Sequence, residues 1–296
     1  MIALPALSRS PAARFAALLV AALLAFPAGA AEARPPARIV SLGGAVTEIL
    51  YRLGAGDLVV AVDTTSIHPP EVMRTKPNVG YLRQLSAEGI LSARPDLVLA
   101  VDGAGPPDVL KQVREAGVPI EPIPEAPTPA GVARKIEAVA RAVGREKEAA
   151  ELLKEVEMGF AALAESRARI ARPVRALFIL SLQNGRAMVG GRNTTADGML
   201  ALAGAENVAT GFEGYKPMTD EAILAAQPEV VVMMETGPGA VPAADVLEGA
   251  ALSQTPAGRD RRLVKMNGLY LLGFGPRTPE AARELLLALK PGFRAE

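Results

Sequence analysis

The chain has 296 residues, 50% of them hydrophobic and 22% charged, with 32 Lys and Arg balanced by 32 Asp and Glu. Such a composition is globular, which excludes a disordered or collagen-like chain, and the lack of a basic excess leaves no electrostatic footprint for nucleic acid. With no Cys and a single His, disulfides, thiolate nucleophiles, iron–sulfur clusters and zinc sites built on thiolates or paired imidazoles are all excluded.

In chain order, residues 1–30 read as a secretory signal peptide. Arg9 and Arg14 make the start positive, Phe15–Phe26 is an apolar run, and Ala28-Gly29-Ala30 has the small-x-small cleavage pattern. The run falls short of the roughly 20 apolar residues a membrane span requires. No Cys follows it to carry a lipid anchor, so the mature protein is expected to be free in the periplasm of a two-membrane cell.

Residues 31–129 alternate strand-like and helix-like segments. Ala37–Leu42, Leu58–Val62, Asp96–Val101 and Val118–Ile123 read as strands, and Thr47–Leu53 and Asp108–Ala116 as helices stopped by Gly54 and Gly117. This alternation predicts an α/β lobe with a parallel sheet. Residues 130–171 are rich in helix formers, with Leu152, Val156, Phe160 and Leu163 at helical spacing. Gly144 is the point at which this helix would kink or divide. Pro173 ends it, and Val174–Leu180 opens a second α/β lobe over residues 172–296. The expected architecture is two Rossmann-like lobes with parallel sheets, joined by a long rigid α-helix that allows little hinge closure.

A weak repeat supports two like lobes. Leu85–Leu99 aligns without gaps on Met218–Val232: each copy has a capping hydroxyl, a Glu (Glu88, Glu221), a short helix, a Pro and an apolar strand. Gly80-Tyr81 and Gly214-Tyr215 nearly correspond.

Little in the chain suggests a nucleotide site or a hydrolase. There is no Gly-Lys dipeptide and no Gly-x-Ser-x-Gly elbow, and Gly54-Ala-Gly56 precedes a strand instead of following one. A Ser-His-Asp hydrolase would have to use His68, which sits in a Pro-flanked loop and reads as a solvated loop histidine.

Gly80-Tyr81-Leu82-Arg83-Gln84 is more informative. If extended, it puts Tyr81 and Arg83 on one face. Forming a phenolate at pH 7 costs about 4 kcal/mol, which ferric iron and a nearby guanidinium offset; tyrosinate is an established haem ligand. By spacing alone Tyr-x-Arg is a weak signal, and a half-buried loop Tyr beside a surface Arg is the better reading. Val189–Asp197, with Arg192, runs into a helix near Thr195 and offers N–H groups to an anion; Gly273–Glu280 and Ser41–Glu48 are similar turns. Taken as three strand ends, they suggest a ligand cleft between the lobes.

These segments resemble those of the periplasmic haem-binding proteins of bacterial ABC importers, within the helical-backbone class of substrate-binding proteins. The likeness covers nearly the whole chain after the signal. It rests on RIVSLGGAVTEILYRLG (38–54), VGYLRQLSAEGILSARPDLVL (79–99), GRNTTADGMLALAGAENV (191–208) and GYKPMTDEAILAAQPEVVV (214–232). The first segment and the Pro-Asp/Glu strands are shared with cobalamin- and siderophore-binding relatives, which remain the alternative; Gly-Tyr-x-Arg and Gly-Tyr-Lys-Pro are closer to the haem branch.

The resemblance implies a monomer that carries haem as a transported ligand to an inner-membrane ABC permease dimer with its ATPase, and that catalyses nothing. It implies Tyr81 as the axial iron ligand, supported by Arg83, with Arg192 and Tyr215 in the ligand-binding set and Tyr215 the alternative iron ligand. It further implies that Glu88 and Glu221 dock onto permease arginines. Some members carry a second haem ligand in a Leu-Ser-His context. Here the stretch reads Leu180-Ser181-Leu182-Gln183, so one five-coordinate haem is expected.

Overall fold

The short apolar runs of the first lobe become the strands β1 (Ile39–Leu42), β2 (Val59–Val62), β3 (Leu97–Val101) and β4 (Ile120–Ile123), hydrogen-bonded in the order β2-β1-β3-β4 and all parallel. Helices α1 (Gly44–Arg52), α2 (Val72–Thr75), α3 (Ala87–Ser92) and α4 (Pro107–Glu115) lie in the crossovers. β1 is buried at every position, as a parallel strand covered on both faces must be. The structure, a computed structural model, describes residues 36–183, 186–235 and 243–293; the expected signal peptide lies outside the described residues.

The connecting segment is two helices, α5 (Pro129–Val143) and α6 (Glu146–Ala168). Thr128 caps α5 by accepting from the Gly131 N–H at 3.0 Å. Gly144 ends it at φ +65°, a left-handed conformation that a β-carbon disfavours. The expected long helix is therefore divided at that glycine.

The second lobe contains β5 (Val174–Gln183), β6 (Arg186–Gly190), α7 (Thr195–Leu202), β7 (Ala205–Asn207), β8 (Tyr215–Met218), α8 (Asp220–Ala226), β9 (Val230–Glu235), α9 (Ala243–Leu247), α10 (Pro256–Arg259), β10 (Leu263–Asn267), α11 (Gly268–Leu272) and α12 (Thr278–Leu289). Its sheet runs β10-β9-β5-β6-β8, with β7 paired to β5. β10, β9, β5 and β7 are parallel, but β6 is antiparallel to both β5 and β8. The expectation of two parallel sheets thus holds for the first lobe and is corrected for the second, whose sheet is mixed. The sequence between β5 and β6 is Asn-Gly, a two-residue hairpin signal that precludes a helical crossover.

α5 packs against α1, and α6 against α12, where Gly159 lies on the Pro279 ring. One buried cluster runs through both lobes, from Ile39 and Ile49 through Val132, Ile136 and Leu152 to Phe178 and Leu285.

The repeat is structural as well as sequential. α3 and α8 are capped alike, Ser86 accepting from Gly89 N–H and Thr219 from Ala222 N–H. Arg94 and Gln227, each before a Pro, take left-handed φ values of +47° and +42°. An arginine at the start of each lobe's first strand then clasps the helix end. Arg38 donates to Ala93 O and Arg94 O at 2.6 and 2.7 Å, and Arg175 to Ala226 O at 2.7 Å. In return, Asp96 and Glu229 accept from the backbone N–H groups of Arg38 and Arg175 at 2.9 and 3.0 Å.

Replacing Arg38 with Met removes two charge-assisted hydrogen bonds at the surface. Urea unfolding is expected to show a loss of about 1–2 kcal/mol, and amide exchange should accelerate at the end of α3 while α8 is unaffected.

Candidate functional site

The ends of the first sheet's strands are organised by one buried carboxylate. Asp63, just after β2, accepts from Gly43 N–H at 2.8 Å, from Thr65 N–H and Oγ1–H at 2.9 and 2.6 Å, and from Ser66 Oγ–H at 3.0 Å. Thr65 Oγ1 in turn accepts from Gly44 N–H at 2.9 Å, and Ser66, Thr47 and Ser41 continue as a buried hydroxyl chain with 2.7 Å links. Gly44 has no room for a side chain: a β-carbon there would lie 2.3 Å from Thr65 O and 2.6 Å from Leu269 Cδ1 of α11. That close approach brings the turn after β1 against the turn after β10, so the C-terminal strand edges of the two sheets face each other.

Tyr81 stands on this edge. Gly80 O accepts from Thr64 N–H at 3.0 Å, and Leu82 O accepts from Gly105 N–H at 3.0 Å, which fixes the segment between the loops after β2 and β3. Gly80 takes φ +104° while its N–H donates to Asn78 Oδ1 at 2.7 Å. Gln84 N–H then closes on Tyr81 O at 2.7 Å. Residues 81–84 therefore form a tight turn and not the extended stretch considered from sequence, so Tyr81 and Arg83 share a turn instead of a strand face. Both are exposed, Tyr81 to 46%.

Of the four large hydrophobic residues exposed among the described residues, three (Ile67, Met73 and Tyr81) fall between residues 67 and 81. Ile67 and Met73 were not distinguishable by any sequence signal. Two of the other tyrosines are held in the neutral phenol form. Burial pushes Tyr51 up, and burial together with Glu284 and Glu280 pushes Tyr270 up to about 12. Tyr215 is half-buried, its hydroxyl 3.0 Å from Thr195 Oγ1 and its ring edge-on to Phe178 at 6.4 Å.

Arg192 and Tyr215 lie at the same end of β6. Tyr215 pairs with Gly190, and Arg192 forms a bridge to Glu213 with an ion pair at 3.7 Å. The register puts this end of β6 level with Phe178, roughly 10 Å back from the end of β9 at 3.3 Å per residue. The anion cradle expected before α7 is also filled from within: Asp197 accepts from Asn193 N–H at 3.1 Å and from Asn207 Nδ2–H at 2.9 Å. Gly273–Glu280 follows α11, so it joins two helices and is not a strand end.

That segment has a different role, which the sequence did not show. Arg277 donates through Nε and Nη2 to both oxygens of Glu48 on α1 at 3.0 and 2.9 Å, and the Glu48 side chain is 4% exposed. The Arg277 guanidinium also lies 5.1 Å over the Tyr270 ring. Lys135 on α5 is fully buried; its Nζ lies 2.9 and 2.8 Å from the Glu125 oxygens and donates to Gly273 O and Phe274 O at 3.1 and 3.0 Å. Burial pulls Lys135 down and pushes Glu125 up, so desolvation outweighs their mutual attraction. A separate shallow hollow of about 440 Å³ between α6 and α7, near Arg167 and Pro173, lies by the opposite end of β5.

The sequence profile of the family described as "Periplasmic binding protein" matches residues 39–268. An uncharacterized ABC transporter substrate-binding lipoprotein, YvrC of Bacillus subtilis, is 30% identical over 87% of this chain and 81% of its own length. Among solved structures, the periplasmic heme-binding protein RhuT from Roseiflexus sp. RS-1, in apo form, is 42% identical with TM-score 0.81, covering 85% of this chain and 97% of that one. The periplasmic heme-binding protein BhuT in complex with two hemes is 42% identical with TM-score 0.80 over the same shares.

His68, half-buried after β2, is the chain's one imidazole. Burial, and next the Arg277 guanidinium, hold it below the ordinary 6.5, with Glu48 and Glu71 opposing. The unfolded chain therefore takes up this proton first. The stability contribution is complete above pH 6.5 and is lost as pH falls through the folded value. NMR titration of untagged protein should give a midpoint below 6.5, and Arg277→Met should raise it because the two carboxylates then act less opposed.

Proposed function

We propose that this chain, which belongs to the periplasmic binding protein family, captures haem at the facing strand edges and delivers it to an inner-membrane ABC importer. The observation that carries the reading is Tyr81. It is an exposed phenol on a fixed turn, two residues before Arg83 in the chain and in the same stretch of sequence as the exposed Ile67 and Met73. It belongs to a chain 42% identical to heme-binding proteins over 85% of its length.

The chemistry follows from the donor set. Among the described residues no group of three or more His, Cys, Asp or Glu side chains could hold a bare ion. A single phenol oxygen suits a metal that brings its own equatorial chelate. Ferric haem supplies the positive charge that offsets the roughly 4 kcal/mol needed to ionise a phenol at pH 7. Arg83 favours the same ionised form. The macrocycle contributes through removal of apolar surface from water, against Ile67 and Met73 on this side of the groove. Arg192 and Tyr215 remain in the ligand-binding set, with Tyr215 the alternative iron ligand.

Glu88 and Glu221 are the proposed contacts to the permease. Each is exposed in the first turn of a repeat-related helix. Its own backbone N–H and the Thr219 hydroxyl hold the Glu221 carboxyl below the usual range, so it stays charged. Two equivalent carboxylates, one per lobe, match a two-fold partner that presents arginines.

Titration of the purified protein with ferric haem is expected to saturate at one equivalent with a high-spin tyrosinate spectrum, whereas two equivalents would place it with BhuT. Tyr81→Ala should remove that spectrum and weaken binding by roughly 100-fold, about 2.8 kcal/mol. Arg83→Met should weaken it by about tenfold. Tight cobalamin or siderophore binding that is untouched by Tyr81→Ala would replace the haem reading. Glu88→Arg combined with Glu221→Arg should leave haem titration unchanged and abolish stimulation of the reconstituted importer's ATPase; unchanged stimulation would move the docking surface elsewhere.

A further inference from the structure

One ion pair and one buried ammonium tie the first lobe and its connecting helix to the second lobe, and both end on one short segment. From the first lobe, Glu48 meets Arg277 through two parallel bonds at 3.0 and 2.9 Å. From the connecting helix α5, the fully buried Lys135 meets Glu125 and the carbonyls of Gly273 and Phe274. Phe274 takes a left-handed φ of +47°, rare for a bulky side chain, while its ring is 1% exposed. The same segment is in van der Waals contact with α1, since a β-carbon on Gly275 would lie 3.3 Å from Ala45 Cβ.

A hydrogen-bonded path leads from this segment to the candidate ligand. Glu48 follows Thr47, whose hydroxyl is 2.7 Å from Ser66 Oγ, and Ser66 donates to Asp63 at 3.0 Å. Thr64, within that loop, holds Gly80 O at 3.0 Å, one residue before Tyr81. We propose that Gly273–Arg277 is the anchor that sets the spacing of the two lobes, and that Arg277, acting through Glu48, is a positioning residue for Tyr81. Its bearing on binding rests on the haem reading above; its bearing on lobe spacing does not.

The spacing is testable without ligand because the chain has no Cys. Cysteines introduced at the exposed positions Gln112 and Ala225 put one spin label on each lobe. Electron–electron resonance on the labelled protein should give a narrow distance distribution that ferric haem does not shift. Glu48→Leu with Arg277→Met removes both charges together and so avoids leaving one buried and unpaired. This pair of substitutions should broaden the distribution and weaken haem binding about tenfold. Arg277→Lys keeps the charge but not the parallel bonds, and should broaden it less. Val113→Ala, a core change in α4 remote from the junction, serves as the control for general destabilisation and should leave it narrow.

An unchanged distribution in both Arg277 variants overturns the anchor. Broadening equal to that of Val113→Ala does so too. Broadening with unchanged haem affinity overturns the positioning of Tyr81. If Tyr81→Ala itself leaves haem affinity untouched, the ligand reading has failed instead, and the ligand-free distances still decide the anchor.

Discussion

The ammonium of Lys135 is the constraint on which the rest of the junction depends. A fully buried cation must find carboxylate and carbonyl partners, because an unpaired one costs several kcal/mol. Its partners come from different parts of the chain: Glu125 after β4, and the Gly273 and Phe274 carbonyls after α11. The lobes cannot part along this seam without stripping that charge of its two carbonyl partners. Replacement of such a pair by apolar residues can be neutral in stability. What the ammonium supplies, through the Gly273 and Phe274 carbonyls, is one relative position of the lobes, and Glu48 with Arg277 states that position a second time. Both ion pairs lie alongside a cluster of apolar residues shared by the two lobes, so the junction is at once greasy and specific.

The two lobes solve the same local problem in the same way. A helix of six or seven residues is too short to hold itself together. Each copy therefore caps its start with a hydroxyl and clasps its end with an arginine from the first strand of the lobe. The result is two exposed carboxylates, Glu88 and Glu221, carried on equally supported helices. Beyond this unit the copies diverge. In the second lobe a hairpin adds β6 and β8 beside the parallel strands, and β6 carries Arg192's loop away from the strand ends.

Sequence legibility followed the range of the interactions. Short apolar strands, hydroxyl caps and the left-handed Gly144 depend on neighbours within a few residues, and pattern and turn chemistry expose them. The hairpin could also have been read, since Asn184-Gly185 lies between two apolar runs. Weight given to the α/β alternation hid it. The Tyr81 turn was less accessible: its shape is imposed by Thr64 and Gly105 from neighbouring strand ends. Glu48 with Arg277, and Lys135 with Gly273, pair residues 229 and 138 positions apart. No periodicity or spacing encodes such pairs. At the expected anion cradle, Asp197 in the helix's own first turn accepts the Asn193 N–H, one of the donors an external anion would use.

A fixed groove and an exposed phenol belong to one design logic. Binding that requires lobe closure must order the junction each time, and that ordering subtracts from affinity. Under the proposed anchor that ordering would be built into the chain, through the Glu48–Arg277 pair, the Lys135 ammonium and Asp63, whose carboxylate sets the loop beside Tyr81. The phenol can then remain exposed, because the turn that carries it is held by backbone bonds from two strand ends and not by packing of its ring. An exposed phenol oxygen on such a mount would suit a flat, rigid chelate that needs no enclosure by folding lobes. It would also leave the cargo accessible to removal: under the proposed docking, a partner held on both lobes by Glu88 and Glu221 would act on the groove without first unlocking a closed state.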